Sequence, residues 1–293
     1  MVQAQEDNFA VKIPVLTDFS VATGQVGSKR RGTSVDEVAL EALFAGDARA
    51  RTLPPVAFVI AAYNEEGAIG RVVDGLPTHV CGLPARTVVV VDGAKDRTAE
   101  EARAHGAVVC DVPVQRGQGA ALRLGYRIAR EGGAHYIVTT DADGQYDPAD
   151  AQRVLEPVVS GAADFVSGSR ILGRDETVDP VRRLGVRVFA AVISWLTGHG
   201  VTDPAFGLRA MRAEVTAAIE LEQPQYQAAE VLIGVISRGF RVTERPATMR
   251  LRQAHETKKG RNLLYAIRFT RVIAATWWRE RTAAAAFASR KHV

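Results

Sequence analysis

A chain of 293 residues, 47 % hydrophobic and 24 % charged, is long enough to bury a full core and belongs with globular proteins. Its apolar runs, such as Val88–Val91 or the alanine-rich 283–287, fall far short of the ~20 residues needed to cross a bilayer, the start MVQAQEDNFAVK lacks a leader's basic and apolar profile, and two cysteines without CxxC spacing make a disulfide framework unexpected. The net charge of +4 is uneven: residues 241–293 carry 13 Lys and Arg against 3 Asp and Glu, so a basic C-terminal segment stands ready for nucleic acid, anionic lipid or a phosphorylated substrate.

Residues 1–52 read as a lead-in with one helix: a polar stretch TGQVGSKRRGTS, then SVDEVALEALFAG, where Ser34 at the N-cap, early acids and helical spacing predict a docking helix. From Pro54 short β-rich runs alternate with helical segments. VAFVIAA (56–62) is a predicted strand followed by a helix near Gly67 to Leu76; TVVVVDG (87–93) is followed by RTAEEARAHG, closed by Gly106. AVVCDVP (107–113) leads to the helix GAALRLGYRIAREGG, and HYIVTTD (135–141) to PADAQRVLEPVVSG, opened by Pro148. The second half reads as DFVSGSR (164–170), a long helix PVRRLGVRVFAAVISWLTG, the loop VTDPAFGLRAMR, a helix around Ala228 to Arg238, a strand FRVTERPA, and a basic helix from Asn262 to Arg281. Unbroken Val/Ile strands alternating with amphipathic helices predict a mainly parallel sheet covered on both faces. Ligands in such sheets bind beyond the carboxyl ends of the strands, which places YNEE, DGAKD and DADGQ along one edge.

VTTDADGQYDP (138–148) puts Asp141, Asp143 and Gln145 on alternate positions after an apolar run. If the strand direction persists past its end, the three converge on one point, and an oxygen-only set suits Mg²⁺ or Mn²⁺. A Ca²⁺ loop is excluded, because Tyr146 stands where its glycine is required and Gln152 where its final glutamate belongs. The alternative is structural: these acids cap the helix at Pro148 and form an Asx turn. Asn64 and Glu65, Asp92 and Asp96, and Arg116 to Gly119 supply polar groups at the neighbouring strand ends, either as helix caps and solvated charges or as contacts to a nucleotide. GQGAALRLG departs from a dinucleotide fingerprint, since Leu122 occupies the third glycine position.

In their joint order, VIAAYNEEGAIG, VVVVDGAKDRT, RGQGAALRLGY, TTDADGQYDP, VSGSR, RRLGVRVF, TDPAFGLRAMR, AAEVLIGVISRGFRVTERP and HETKKG resemble the family 2 glycosyltransferases, most closely those acting on dolichol or polyprenyl phosphate. The resemblance implies an α/β fold of GT-A type: a mainly parallel, Rossmann-like sheet flanked by helices over 53–260, with a basic amphipathic helix and tail over 261–293. It implies that Ala62, Tyr63, Glu65 and Asp92 surround the base and ribose of a GDP- or UDP-linked sugar, with Gln118 beside them. Asp141 and Asp143 would hold the diphosphate through Mg²⁺ or Mn²⁺, with Gln145 completing the shell. Arg170, Arg183 and Lys258 match phosphate-holding positions, Lys259 being the neighbour of the last. Where relatives often read DDGS this chain has Val91-Asp92-Gly93-Ala94, and Gln118 replaces the lysine of GKG.

The implied reaction is inverting sugar transfer, with Asp143 and Arg170 at the reacting centre. A lipid monophosphate acceptor needs no strong base, its second pKa being about 6. A soluble hydroxylated acceptor would need one, and Asp203 is the candidate, its structural alternative being a loop cap before Pro204. A rival of another class is a non-catalytic module: NLLYAIRFTRVIAATWWRER mixes apolar residues and paired Trp with arginines, as an interfacial helix on an anionic membrane does, and no RNA-binding signature accompanies it. Composition and the absence of a leader profile lead to the expectation of a cytoplasmic protein, peripheral at the membrane if its acceptor is a lipid.

Overall fold

Strand β1 (Val56–Ala62) sets the architecture, because it lies between two parallel neighbours, β3 (Leu83–Asp92) and β5 (Tyr136–Asp141). Its residues alternate between two cores: Ala57 and Val59 pack on one face of the sheet, Val56, Phe58 and Ile60 on the other. Val88 and Val90 against Val89 and Val91 repeat that division one strand away. Both faces are covered, so both sets of side chains must be apolar and the strands read as unbroken runs.

The computed structural model describes residues 34–177, 179–251 and 262–290, with side chains of the last helix from 266 to 282. The elements are α1 (Val35–Gly46), β1, α2 (Ile69–Gly75), β2 (His79–Val80), β3, α3 (Thr98–Ala104), β4 (Val108–Val112), α4 (Gln118–Glu131), β5, α5 (Asp150–Val159), β6 (Phe165–Asp175), α6 (Pro180–Thr197), β7 (Arg209–Arg212), α7 (Val215–Ala218), α8 (Gln227–Ser237), β8 (Val242–Met249) and α9 (Asn262–Arg290). The strand order is β2-β3-β1-β5-β7-β6-β8, with β4 also on β3. Strands β4, β3, β1 and β5 run parallel, so Val112, Asp92, Ala62 and Asp141 end on the same edge.

The core of the sheet is parallel as expected, and beyond β5 it becomes mixed: β7 pairs antiparallel with both β5 and β6, and β6 then pairs parallel with β8. Strand β7 lies inside the segment expected to be a loop. At four residues, with an arginine at each end, it is too short and polar to show an apolar pattern, yet Arg209 is buried there. The long helix α9 packs on α8 and α6, burying Phe269, Val272 and Ile273, and Trp277 Nε1–H donates to the Leu196 carbonyl at 3.0 Å. Lys258, Lys259 and the rest of HETKKG, like residues 1–33, lie outside the described residues.

Candidate active site

The turn after β1 is held by the segment leading into α3 and by Glu101 of that helix. Asn64 adopts φ +51°, and its Oδ1 accepts from the Lys95 N–H at 2.8 Å. Asp96 accepts from the Glu66 N–H at 3.2 Å and the Thr98 N–H at 3.1 Å, while Thr98 Oγ1 accepts from the Glu65 N–H at 2.8 Å. Burial opposes the Asp96 charge, but the groups of Thr98 and the Glu66 N–H outweigh it and hold the carboxyl below its ordinary value. No side chain of α2 caps its own N-terminus; Glu101 does so from α3, accepting from Gly67 and Gly70 N–H at 2.6 and 3.0 Å. Tyr63 and Glu65 thus sit half-buried on a turn with a built-in shape, beside the buried Ala62.

Asp92, only 3 % exposed at the end of β3, grips the turn that opens α4: its Oδ2 accepts from the Arg116 N–H at 2.9 Å and the Gly117 N–H at 2.6 Å. Gly93 is required here, since its φ is +67° and a Cβ would lie 2.3 Å from the Gln115 nitrogen. The next residue along that turn, Gln118, donates from Nε2 to Asp141 Oδ1 at 3.0 Å. Asp141 Oδ2 accepts from the Tyr146 hydroxyl at 3.1 Å, and that hydroxyl accepts from the Gly207 N–H at 2.8 Å. Burial first, then the Asp141 carboxylate, raises the Tyr146 hydroxyl well above its ordinary value, so it remains a donor to Asp141.

The DADGQ segment does not continue as a strand. Strand β5 ends at Asp141, Gly144 turns the chain at φ +71°, and Asp143 Oδ1 accepts from the Gln145 N–H at 3.2 Å in an Asx turn. Gln145 consequently leaves the common direction the alternation predicted; its Nε2 donates to the Arg250 carbonyl at 3.3 Å. Just ahead of α5, Asp147 Oδ1 accepts from the Ala149 N–H at 3.0 Å, and Ala149, the N-cap residue, makes no side-chain capping bond. A cavity of about 220 Å³ adjoins both acids, lined among others by Arg71, Val72, Tyr146, Leu208 and Arg250. Each carboxylate oxygen can accept twice, so the bonds to Gln118, Tyr146 and Gln145 are compatible with a hard cation on the same carboxylates. Among the described residues no group of three or more His, Cys, Asp or Glu is placed to hold a metal ion.

Arg170 and Asp203 meet each other. Arg170 Nε donates to Asp203 Oδ2 at 2.6 Å, its backbone N–H to the same oxygen at 3.2 Å, and their side chains are 2 % and 0 % exposed. Burial works against the Arg170 charge, but Asp203 overcomes it and holds the guanidinium above its ordinary value. Arg183 is bound to Asp175, Nε to Oδ2 at 2.9 Å, on the exposed start of α6. Two participants were given no role by the sequence: Tyr146 and Arg209, whose burial lowers its pKa against the opposing Asp141 charge. Only the position of Tyr146 two residues before the predicted helix, directly after the acidic motif, could have marked it.

Residues 57–219 match the profile of Glycosyl transferase family 2. The chain belongs to that family. A dolichyl-phosphate hexose transferase of Haloferax volcanii is 36 % identical over 212 residues, 71 % of this chain and 87 % of the relative. A polyprenol monophosphomannose synthase of Mycolicibacterium smegmatis is 31 % identical over 225 residues, 71 % and 83 % of the two chains. In fold, this family 2 glycosyltransferase is similar to glucosyl-3-phosphoglycerate synthase of Mycobacterium tuberculosis, solved with Mn²⁺, uridine diphosphate and glucosyl-3-phosphoglycerate, at a TM-score of 0.60 and 24 % identity, over 87 % and 86 % of the chains. The expected GT-A type architecture is therefore the one observed.

Proposed function

We propose that the protein transfers a sugar, with inversion, from a nucleotide sugar to a polyprenyl-phosphate-type acceptor, using a divalent cation held by Asp141 and Asp143. The observation that carries this reading is the junction of Gln118, Asp141 and Tyr146 beside the cavity, with Asp143 on the adjoining turn. Bound there, Mg²⁺ or Mn²⁺ supplies positive charge against the departing nucleoside diphosphate. Ala62, Tyr63, Glu65 and Asp92 form the turns that receive base and ribose, and Gln118 orients Asp141. Gln145 supports the acidic turn through Arg250, and its side-chain oxygen can still serve as a ligand.

The acceptor assignment is supported by relatives named for dolichyl and polyprenol phosphates. An ionised phosphate oxygen attacks the anomeric carbon while the bond to the nucleoside diphosphate breaks; no proton needs to be removed. Arg71 and Arg250 on the cavity wall, with Arg183 and Lys258, supply cations for phosphate. The Arg170–Asp203 pair is assigned a supporting role, because two side chains sealed from solvent and bonded to each other present neither a free base nor a free cation.

The test is release of nucleoside diphosphate from a panel of UDP- and GDP-sugars with Mn²⁺, with and without polyprenyl phosphate. Release that depends on the lipid phosphate is expected, and Asp143→Ala should lower it at least 100-fold, on the order of the loss of one transition-state electrostatic contact. Full activity of that variant would discard the cation assignment, and release with soluble acceptors alone would replace the lipid.

A further inference from the structure

We propose that helix α1, which precedes the segment matched by the family, is a working part of the donor site: Asp36 in its first turn is a positioning residue that acts through Arg116 on the turn carrying Gln118. The inference rests on the donor-site reading above. Helix α1 starts at a defined place, since Ser34 Oγ accepts from the Glu37 N–H at 3.2 Å and Glu37 returns the bond to the Ser34 N–H at 2.9 Å. It buries Ala39, Leu40 and Leu43 in the core that also holds Val108, Cys110 and Val112 of β4. This docking brings Asp36 to the turn after β4, where its Oδ1 accepts from Arg116 Nη1.

Arg116 lies between two carboxylates, with Nε 3.5 Å from Asp92 Oδ1 and its side chain 19 % exposed. Asp92 Oδ1 and Arg116 Nε and Nη2 are buried without a hydrogen-bond partner among the described residues. Asp92 Oδ2 meanwhile holds the Arg116 and Gly117 N–H groups that shape the turn. If Asp36 lost its charge, the Arg116 guanidinium would keep Asp92 as its one opposing charge among these contacts and would compete for it with those N–H groups. The turn has little room on its other side: the Gly119 N–H donates to the Pro224 carbonyl at 3.0 Å, and a Cβ at Gly119 would lie 1.9 Å from the Gln223 oxygen. Any relaxation therefore runs toward α1, and it carries Gln118 away from Asp141, its partner at 3.0 Å.

The experiment is calorimetric titration of the full-length protein with UDP and with GDP in the presence of Mn²⁺, together with steady-state kinetics on the preferred donor. Asp36→Asn should raise the Kd of the nucleoside diphosphate and the donor KM about tenfold, with kcat within about twofold, since a contact that orients the site is lost while the reacting groups remain. Asp36→Glu should recover most of the affinity, and Glu41→Gln, on the exposed side of the same helix, should leave it unchanged. Unchanged affinity in Asp36→Asn overturns the proposal, even where its melting temperature falls. Failure of the wild-type protein to bind either nucleotide overturns the donor-site reading and this inference with it, and is told apart because it appears before any variant is compared.

Discussion

Asp203 and Arg170 illustrate how burial assigns a role to a residue. In the supporting role proposed for it, the Asp203 carboxylate, at 0 % exposure and accepting from both the side chain and the backbone of Arg170, balances that charge, and removing it leaves a guanidinium stranded in the interior. Asp203→Asn should destabilise the protein by about 3–5 kcal/mol, read from urea unfolding midpoints, while folded enzyme retains its kcat. A loss of activity at unchanged stability would return Asp203 to the role of proton acceptor. Asp141 is the contrasting case: half-buried at a strand end beside a cavity, it takes hydrogen bonds from Gln118 and Tyr146 that orient it without consuming its acceptor capacity.

Helices α6 and α9 exchange the parts their sequences suggest. The apolar residues of α9 are spent on packing against α8 and α6, and Arg279 is drawn into ion pairs with Glu230 at 2.9 Å and Glu222 at 3.0 Å. On α6, by contrast, Val181, Leu184, Val188, Val192 and Trp195 recur at helical spacing and stay exposed, Trp195 at 82 %, with Arg183 and Arg187 also exposed on the helix. An apolar stripe edged by arginines suits the surface of an anionic bilayer, where a lipid-linked acceptor would be met. Co-flotation with anionic vesicles is therefore expected for the wild-type protein and should be largely lost in the Leu184→Glu/Trp195→Glu variant, with Trp278→Glu on α9 having the smaller effect. Equal flotation of all three would assign the membrane contact elsewhere.

Across the whole molecule, the acid stability limit should come from carboxylates that lock strands together. Asp164, at the start of β6, accepts from Arg241 through its backbone at 2.8 Å and its side chain at 2.7 Å, and pairs with Arg212 of β7 at 2.9 Å. Burial alone would raise the Asp164 pKa, but the Arg241 bonds and the Arg212 charge hold it below its ordinary value. A carboxyl depressed in the folded state contributes stability that is present above its unfolded pKa of about 3.9 and is lost as pH falls through the folded value. Asp164→Asn should accordingly cost about 1–3 kcal/mol at pH 7, and the gap to wild type should close progressively below pH ~4 as the wild-type carboxyl protonates. Urea midpoints at several pH values check this; a gap that persists undiminished at the acid end would contradict it.

Much of the fold was open to inspection in the linear chain. Strands β1, β3, β4 and β5 announce themselves because burial on both faces demands uninterrupted Val, Ile and Ala, and the acids at their ends follow from the parallel order. Asp141 and Asp143 stood out for the same reason, as a polar pair directly after such a run, and Asp143 forms the Asx turn that the sequence offered as the structural alternative. What needed the folded chain is everything fixed by contacts between distant segments: the antiparallel insertion of β7, the diversion of Gln145 to Arg250, the sealing of Arg170 against Asp203, and the reach of Asp36 to Arg116 across 80 positions. Periodicity records which face of an element avoids water. It carries no record of which charges, far apart along the chain, neutralise one another once water has been excluded.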